Sequence, residues 1–476
     1  MNSGNELVVV GAGPNGLSAA VALAGEGHRV VLHEADSQIG GGTRSEELTL
    51  PGFIHDVCSA VHPMGIASPF FRTLPLDRHG LEWIHPPVMM AHPFDDGTAA
   101  VLVGSTEATA NSLGHEDRRA YRKLMDPFVR RFDALIEDAL SPPLRFPKHP
   151  FPMARLGWFG LRPAMSLAKT LFKGSRARAH FIGLAAHTLL PMEKVPSASF
   201  GIMLGLAGHG AGWPIARGGS QKIADALAAL LRERGGRIET DSRIGSLDAF
   251  DDAPAIVLDV TPRQLLSIAG EKLSAFYRAE LRRWRYAAGV FKVDWALSEP
   301  IPWTAPECRL AGTLHLGSDA NEIARSSAAA ASGGVDDEPF VLLAQPSLFD
   351  STRAPEGRHT AWGYCHVPHG STRDMTDAIE RQIERFAPGF RDIVLARHTM
   401  NTAALENHDE NLVGGDINGG VQDLWQFLFR PAVRLDPYST PNPRIFMCSA
   451  STPPGGAVHG MCGYHAARSV MRTMKH

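Results

Sequence analysis

Six residues near the start constrain this chain more than any other feature. Gly11-Ala12-Gly13-Pro14-Asn15-Gly16 is a G-x-G-x-x-G run set directly after the β-branched segment Leu7-Val8-Val9-Val10. The apolar segment reads as a buried strand. Leu17 to Ala24 is small and apolar, is closed by Gly25 and Gly27, and reads as a helix. Arg29-Val30-Val31-Leu32-His33 then reads as a second strand ending at Glu34. Glu34 follows Gly16 at close to the ~20-residue spacing of a dinucleotide-binding fingerprint. Strand, turn, helix, strand and terminal acid therefore occur in register.

Each part has a physical task. Gly11 permits the tight turn, Gly13 lets the backbone approach a pyrophosphate, and Gly16 allows close packing of helix on strand. The helix that opens at Pro14 and Asn15 offers unpaired N–H groups and its positive dipole end to an anion. Glu34, with Ala35 adjoining it, stands where ribose hydroxyls would donate, and its charge disfavours a 2′-phosphate. One dinucleotide site is expected. No second strand–G-x-G-x-x-G–helix unit exists: Gly208-His209-Gly210-Ala211-Gly212 has the wrong spacing.

Length and composition bound the rest. The 476 residues suffice for two or three domains. A formal net charge of −3 argues against a chain built to coat nucleic acid. The five cysteines form no C-x-x-C pair, so a disulfide framework, a zinc ribbon and a redox dithiol are all unexpected. A reducing, cytoplasmic setting is the expectation. His55, Cys58 and His62 have ligand-like spacing but lack a fourth partner, so no metal is expected. The uncharged stretch 195–216 contains Pro196, Pro214 and several glycines and is expected not to form an uninterrupted helix. Ser326 to Gly334, rich in Ser, Ala and Gly, is expected to be a surface loop.

Three further motifs lie far apart. Gly40-Gly41-Gly42-Thr43-Arg44 follows the second strand. Gly218-Gly219-Ser220-Gln221-Lys222 leads into a helix over 223–234, then Gly235-Gly236 and a strand from Arg237, with another strand at Ile256 to Pro262. Near the end, a strand over 444–450 runs into Ser451-Thr452-Pro453-Pro454-Gly455-Gly456-Ala457-Val458-His459-Gly460 and a small-residue helix. Together with the fingerprint, these motifs resemble the phytoene desaturase-like branch of the FAD-dependent amine oxidase superfamily.

That resemblance implies an α/β chain: a Rossmann-like FAD-binding domain of the glutathione-reductase type, interleaved with an α+β substrate domain. Residues 1–74, 213–265 and 397–476 would build the FAD domain. Residues 75–212, basic, aromatic and helical in part, and 266–396, a mixed sheet, would build the substrate domain. It also implies that Gly41 and Gly42 lie against the FAD pyrophosphate with Arg44 neutralising charge, although Thr43 interrupts the family's usual Gly-Gly-Arg order. The backbone at Ile244 would lie beside the adenine. Ser451, Gly455, Gly456, Val458 and His459 would face the flavin and its ribityl chain.

The implied activity is hydride transfer between a lipophilic small molecule and flavin N5, with C–C desaturation foremost and oxygen or a quinone as acceptor. Amine oxidation, redox-neutral double-bond isomerisation and a non-catalytic flavin-binding role stay open. His62 is the first candidate for acid–base work, His459 the second and Asp56 the third. Finally, no Asp or Glu occurs between Leu144 and Met192, while cations alternate with aromatics over 145–178. That stretch is a candidate contact for a membrane surface or a partner protein. No nucleic-acid motif accompanies it, and the oligomeric state is not legible.

Overall fold

The computed structural model describes residues 6–475; residues 1–5 and 476, parts of the expected first and closing FAD segments, lie outside it. Leu7–Val10 is the central strand of a five-stranded sheet ordered Ile445–Met447, Ile256–Leu258, Leu7–Val10, Val30–His33, Arg237–Glu239. All its pairings are parallel, with Val8 opposite both Ile256 and Val31. The β-branched run suits this position because a parallel sheet is covered on both faces, and all four residues of Leu7–Val10 are buried.

The chain leaves the central strand toward Val30–His33 and later returns on its other side through Ile256–Leu258. That reversal opens a crevice at the strands' carboxyl ends, where α/β sheets bind ligands. Helix Pro14–Gly25 covers one face and is joined by helices Gln221–Glu233 and Met461–Met474 in a common core. Contact is so close that a Cβ on Gly16 would fall 1.9 Å from the Gly11 carbonyl oxygen, and one on Gly463 would fall 1.9 Å from that of Asn15. The closing helix is thus seated on the fingerprint helix.

A seven-stranded mixed sheet forms the second layer, ordered Val394–Met400, Gly289–Leu297, His359–Val367, Val341–Ala344, Ala311–Leu316, Val88–Pro93, Ala99–Leu102. Period-two alternation divides its longest strands. Val293 and Trp295 enter a core closed by helix Thr376–Phe386, while Lys292 and Asp294 take the other face. Register aligns His398, Asp294, Trp362, Ala344 and Thr313 in one row across that face. Helices between Arg118 and Gly210 pack around a separate core beside this sheet.

As expected, the uncharged stretch 195–216 is not one uninterrupted helix: Ser197–Gly210 is a helix of 14 residues that keeps its glycines and stops before Pro214. Its neighbours need them: a Cβ on Gly208 would meet Leu102 Cδ2 at 2.6 Å, and one on Gly210 the Phe132 ring at 2.1 Å. Tight tertiary packing overrides weak intrinsic propensity. The expected loop at 326–334 is instead mostly helix Ala320–Ala331, started by Asp319, whose carboxylate accepts from the Asn321 and Glu322 N–H groups. Ser326 and Ser327 are buried, and Ser326 Oγ accepts the Phe340 N–H at 3.0 Å. Among the described residues no helix is long and apolar enough to cross a membrane.

Candidate active site

One cavity of about 1070 Å³ runs from the fingerprint to the polar face of the seven-stranded sheet. This is at the upper end of the ~300–1000 Å³ range of ligand and cofactor sites. At one end the wall is backbone: Gly11, Gly13, Gly41 and Gly42 all line it. Gly41 turns at φ +48°, and a Cβ there would sit 3.2 Å from Gly13 Cα. The two glycine motifs therefore meet with no side chain between them.

Glu34 is held rigid at this end. Its Oε2 accepts the Ala12 N–H at 2.7 Å and its Oε1 the Asp36 N–H at 3.0 Å. An ionised carboxylate has acceptor capacity beyond those two bonds, and Glu34 lines the cavity with Ala35 beside it. Pro14, Asn15 and Ile244 line it too.

Asp259, just after strand Ile256–Leu258, stands at the switch point. Its Oδ2 accepts the Gly16 N–H at 2.8 Å, at the amino end of the fingerprint helix. Burial pushes its pKa up to about 8, the Gly16 N–H works against that, and the Asp409 and Glu34 charges add to it. At neutral pH the group is largely protonated, so it does not repel an anion bound beside it. The readable signal was an acid at the carboxyl end of a central parallel strand.

Arg44 stands at the same end. It lines the cavity, but its guanidinium is already engaged, donating from Nη1 to Asp36 at 2.6 Å and from Nη2 to the His408 carbonyl at 2.7 Å. Burial would raise the Asp36 carboxyl, yet the Arg44 hydrogen bond and charge bring it below its ordinary value. These contacts brace the second glycine turn.

The three acid–base candidates separate. Asp56 does not line the cavity; it is buried, ion-paired with Arg353, and accepts from Ser45 Oγ and the Ser220 N–H, each at 2.7 Å. Its acceptors are consumed in holding three segments together. His62 does line the cavity, with Nε2 2.8 Å from Ser220 Oγ. Ser220 gives its own hydroxyl proton to the Ser59 carbonyl, so it accepts from His62 and fixes the Nε2–H tautomer. Nδ1 is left as a buried lone pair without a protein partner. Burial lowers the His62 pKa to about 4. His459 also lines the cavity, but its Nδ1 accepts the Met461 N–H at 3.1 Å, and burial lowers its pKa to about 3. Both rings are neutral at pH 7, and only His62 has a free acceptor. His55, turned toward Asp294 at 3.6 Å, joins neither.

In the closing turn Ser451, Gly456 and Val458 line the cavity, and Ser451 Oγ donates to the Gly419 carbonyl at 2.7 Å. Gly16 and Gly455 do not line it. Gly16 acts through packing, and Gly455, at φ +113°, through its approach to Arg430.

At the far end the floor is Lys292, Thr313, Leu342, Trp362 and Tyr364, and Leu156, Phe200 and Met203 contribute to an apolar wall. Lys292 is buried, with Nζ 2.5 Å from Asp294 and 5.7 Å from the centre of the Trp362 ring. Burial would raise Asp294, but Lys292 holds it below its ordinary value. Trp362 and Tyr364 stack at 5.8 Å. The sequence reading missed this set; the available signal was two charges, two residues apart, inside the apolar strand Gly-Val-Phe-Lys-Val-Asp-Trp-Ala-Leu.

Asn15 Oδ1, His62 Nδ1, Thr313 Oγ1 and Trp362 Nε1 are buried polar atoms of lining residues with no protein partner. Buried polar groups are rarely left so. Together with the glycine cradle and the reach of the cavity from the fingerprint to the sheet, they fit a dinucleotide cofactor plus a second molecule. Among the described residues no group of three or more His, Cys, Asp or Glu is arranged to hold a metal ion.

Residues 9–74 match the NAD(P)-binding Rossmann-like domain family. Over 99% of its length the chain is 25% identical to pyridine nucleotide-disulfide oxidoreductase domain-containing protein 2 of Mus musculus, covering 94% of that protein. It is 30% identical over 250 residues to hydroxyneurosporene desaturase of Cereibacter sphaeroides, covering 49% of this chain and 48% of that one. In fold it resembles an oxidoreductase from Methanosarcina mazei, with TM-score 0.67, 17% identity, and coverage of 99% of this chain and 100% of that one. It also resembles cyclohexylamine oxidase from Brevibacterium oxydans, with TM-score 0.61, 16% identity and the same coverage. The full-length likeness and the desaturase match agree with the motifs and the cavity: the chain is an FAD-dependent oxidoreductase that fits the phytoene desaturase-like branch of the amine oxidase superfamily.

Proposed function

We propose that this oxidoreductase removes a hydride and a proton from a largely apolar organic molecule, desaturating a C–C bond, with oxygen or a quinone as the final acceptor. The observation that carries the reading is the continuity of one cavity from the glycine cradle to a floor and wall rich in apolar and aromatic side chains. Bound FAD supplies the hydride acceptor at flavin N5. The backbone of Gly11, Gly13, Gly41 and Gly42 would hold its diphosphate, Glu34 would receive its ribose hydroxyls, and the 451–459 turn would line the flavin end. His62 Nδ1 is the base that takes the proton left when the hydride departs. Burial disfavours the imidazolium, so this proton would leave to solvent when the product departs.

Amine oxidation is the second reading, motivated by the likeness to cyclohexylamine oxidase.

The test is anaerobic titration of the yellow holoprotein with saturated long-chain apolar donors and, in parallel, with primary amines. Bleaching of the flavin absorbance by the apolar donors alone is the expected result. Bleaching by amines alone overturns the desaturase reading, and turnover seen only after chemical reduction of the flavin replaces it with isomerisation. Colourless protein that ignores added FAD removes the whole family of readings.

A further inference from the structure

Five ring nitrogens in three wholly buried histidines have no protein partner among the described residues: both of His92, both of His180, and Nδ1 of His315. Register brings two of these rings together. His315 lies one residue beyond the Leu314–Ala91 pair of strands Ala311–Leu316 and Val88–Pro93, hence beside His92. Helix Ser175–Ala185 covers them. His180, Gly183 and His187 follow at i, i+3 and i+7, on one side of this helix and its 3-10 extension Ala186–Thr188. A Cβ on Gly183 would fall 2.9 Å from His315 Nδ1, so the side chain missing there lets the helix lie against that ring.

The cluster meets the cavity at one end and the surface at the other. His187 lines the cavity, and its Nε2 lies 3.0 Å from His315 Nε2. On the far side the Tyr121 and His180 rings meet edge-on at 5.9 Å. Tyr121 Oη lies 2.7 Å from Nε2 of His209, which is part-exposed near the end of helix Ser197–Gly210. His209 Nδ1 lies 3.2 Å from the Gly104 carbonyl. A carbonyl only accepts, so Nδ1 carries the proton and Nε2 accepts from the Tyr121 hydroxyl. Asp126 is the acid whose charge bears on both side chains.

Burial lowers His180 and His187 to about 3 and His92 to about 4. Burial also takes His315 well below its ordinary value, with the His187, His92 and His180 rings adding to the effect. At pH 7 each ring is neutral and offers one N–H and one lone pair, so it can accept a proton on one nitrogen while releasing one from the other. Buried polar atoms are rarely left unpaired, and internal water commonly completes them.

We infer that His187, His315, His92, His180, Tyr121 and His209, with ordered waters between them, form a proton path from the cavity to solvent. Its use rests on the reading above; the path itself does not. Reducing a quinone to a hydroquinone takes a hydride equivalent from the reduced cofactor and one proton from solvent, and the path delivers that proton while the quinone occupies the cavity.

Reoxidation of the FAD-loaded protein tests the path without any organic donor. The flavin is reduced anaerobically by light and EDTA, mixed with excess p-benzoquinone, and its absorbance followed in stopped flow. Tyr121→Phe, which removes only a hydroxyl, is expected to slow reoxidation at saturating quinone by at least ~10-fold with FAD content unchanged. His209→Ala is expected to slow it likewise, and imidazole in the buffer to restore most of the rate from the vacated surface position. A purely structural role for His209 predicts no such rescue. Reoxidation of Tyr121→Phe at the wild-type rate overturns the inference, as does a slowed His209→Ala that imidazole leaves slow. In a high-resolution crystal structure, ordered waters are expected within hydrogen-bond distance of His180 and His315, and a dry cluster overturns the path. Flavin bleaching by apolar donors is a separate measurement, so failure of the path and failure of the desaturase reading are distinguishable.

Discussion

The two ends of the cavity are built by different means. At the cofactor end the wall is largely main chain: glycines too crowded to carry a Cβ, with Glu34 pinned by two backbone N–H groups. At the substrate end the wall is side chains delivered by a sheet and by helices remote in sequence, with a buried Lys292–Asp294 pair in its floor. In the proposed function, cofactor recognition follows from backbone shape, whereas substrate recognition follows from tertiary assembly. The two ends should therefore fail separately.

The largest separation is expected at Lys292. Lys292→Met leaves Asp294 buried without its cation and should cost about 3–5 kcal/mol of stability in chemical denaturation, while FAD content per folded chain is unchanged. Adding Asp294→Asn should restore most of the loss. Parallel loss of FAD in the single variant would break the claim that the two ends are independent.

At the other end, Glu34→Ala should leave the seven-stranded sheet intact and weaken FAD binding by about 1–3 kcal/mol, measured by fluorescence titration of the apoprotein. Unchanged affinity would remove Glu34 from the ribose and leave it a purely internal brace.

The smallest effect sharpens the electrostatics of the cradle. Folded Asp259 keeps its proton up to about pH 8, whereas its ordinary value is 3.8. The folded state therefore binds more protons than the unfolded chain across that window, so stability falls as pH rises through it and levels off above it. Asp259→Asn should flatten this slope. It should also abolish a roughly fivefold weakening of FAD binding expected in wild type between about pH 7 and pH 9, as the carboxylate ionises beside a diphosphate. Wild-type affinity that is constant over that range would mean Asp259 does not sense the cofactor.

The legibility of the two ends follows the same division. Gly11, Gly13, Gly16, Glu34 and the closing turn could be read because their geometry is local: a turn, a helix start and a strand end within a few residues. Arg44 was legible in position but not in partner, because Asp36 and the His408 carbonyl reach it from the side. Asp56 was likewise legible in position but not in partner, because proximity to His62 along the chain says nothing about direction; its carboxylate turns toward Arg353, far away in sequence. Lys292, Trp362 and Thr313 come together only through sheet register over remote strands.

By itself, then, the sequence determined a parallel α/β core, one dinucleotide cradle and an acid-free, aromatic-bearing basic stretch, since short-range sterics, β-branched runs and composition dictate these. Only the tertiary structure decided that Asp259 holds a proton beside the cradle, that Lys292 is neutralised in the floor, and that the basic stretch contains helix Pro150–Gly160, which walls the cavity. Those outcomes depend on burial between segments far apart in sequence: the Lys292–Asp294 pair is local, but its depth in the floor, like the proton on Asp259, is set by the elements that cover it.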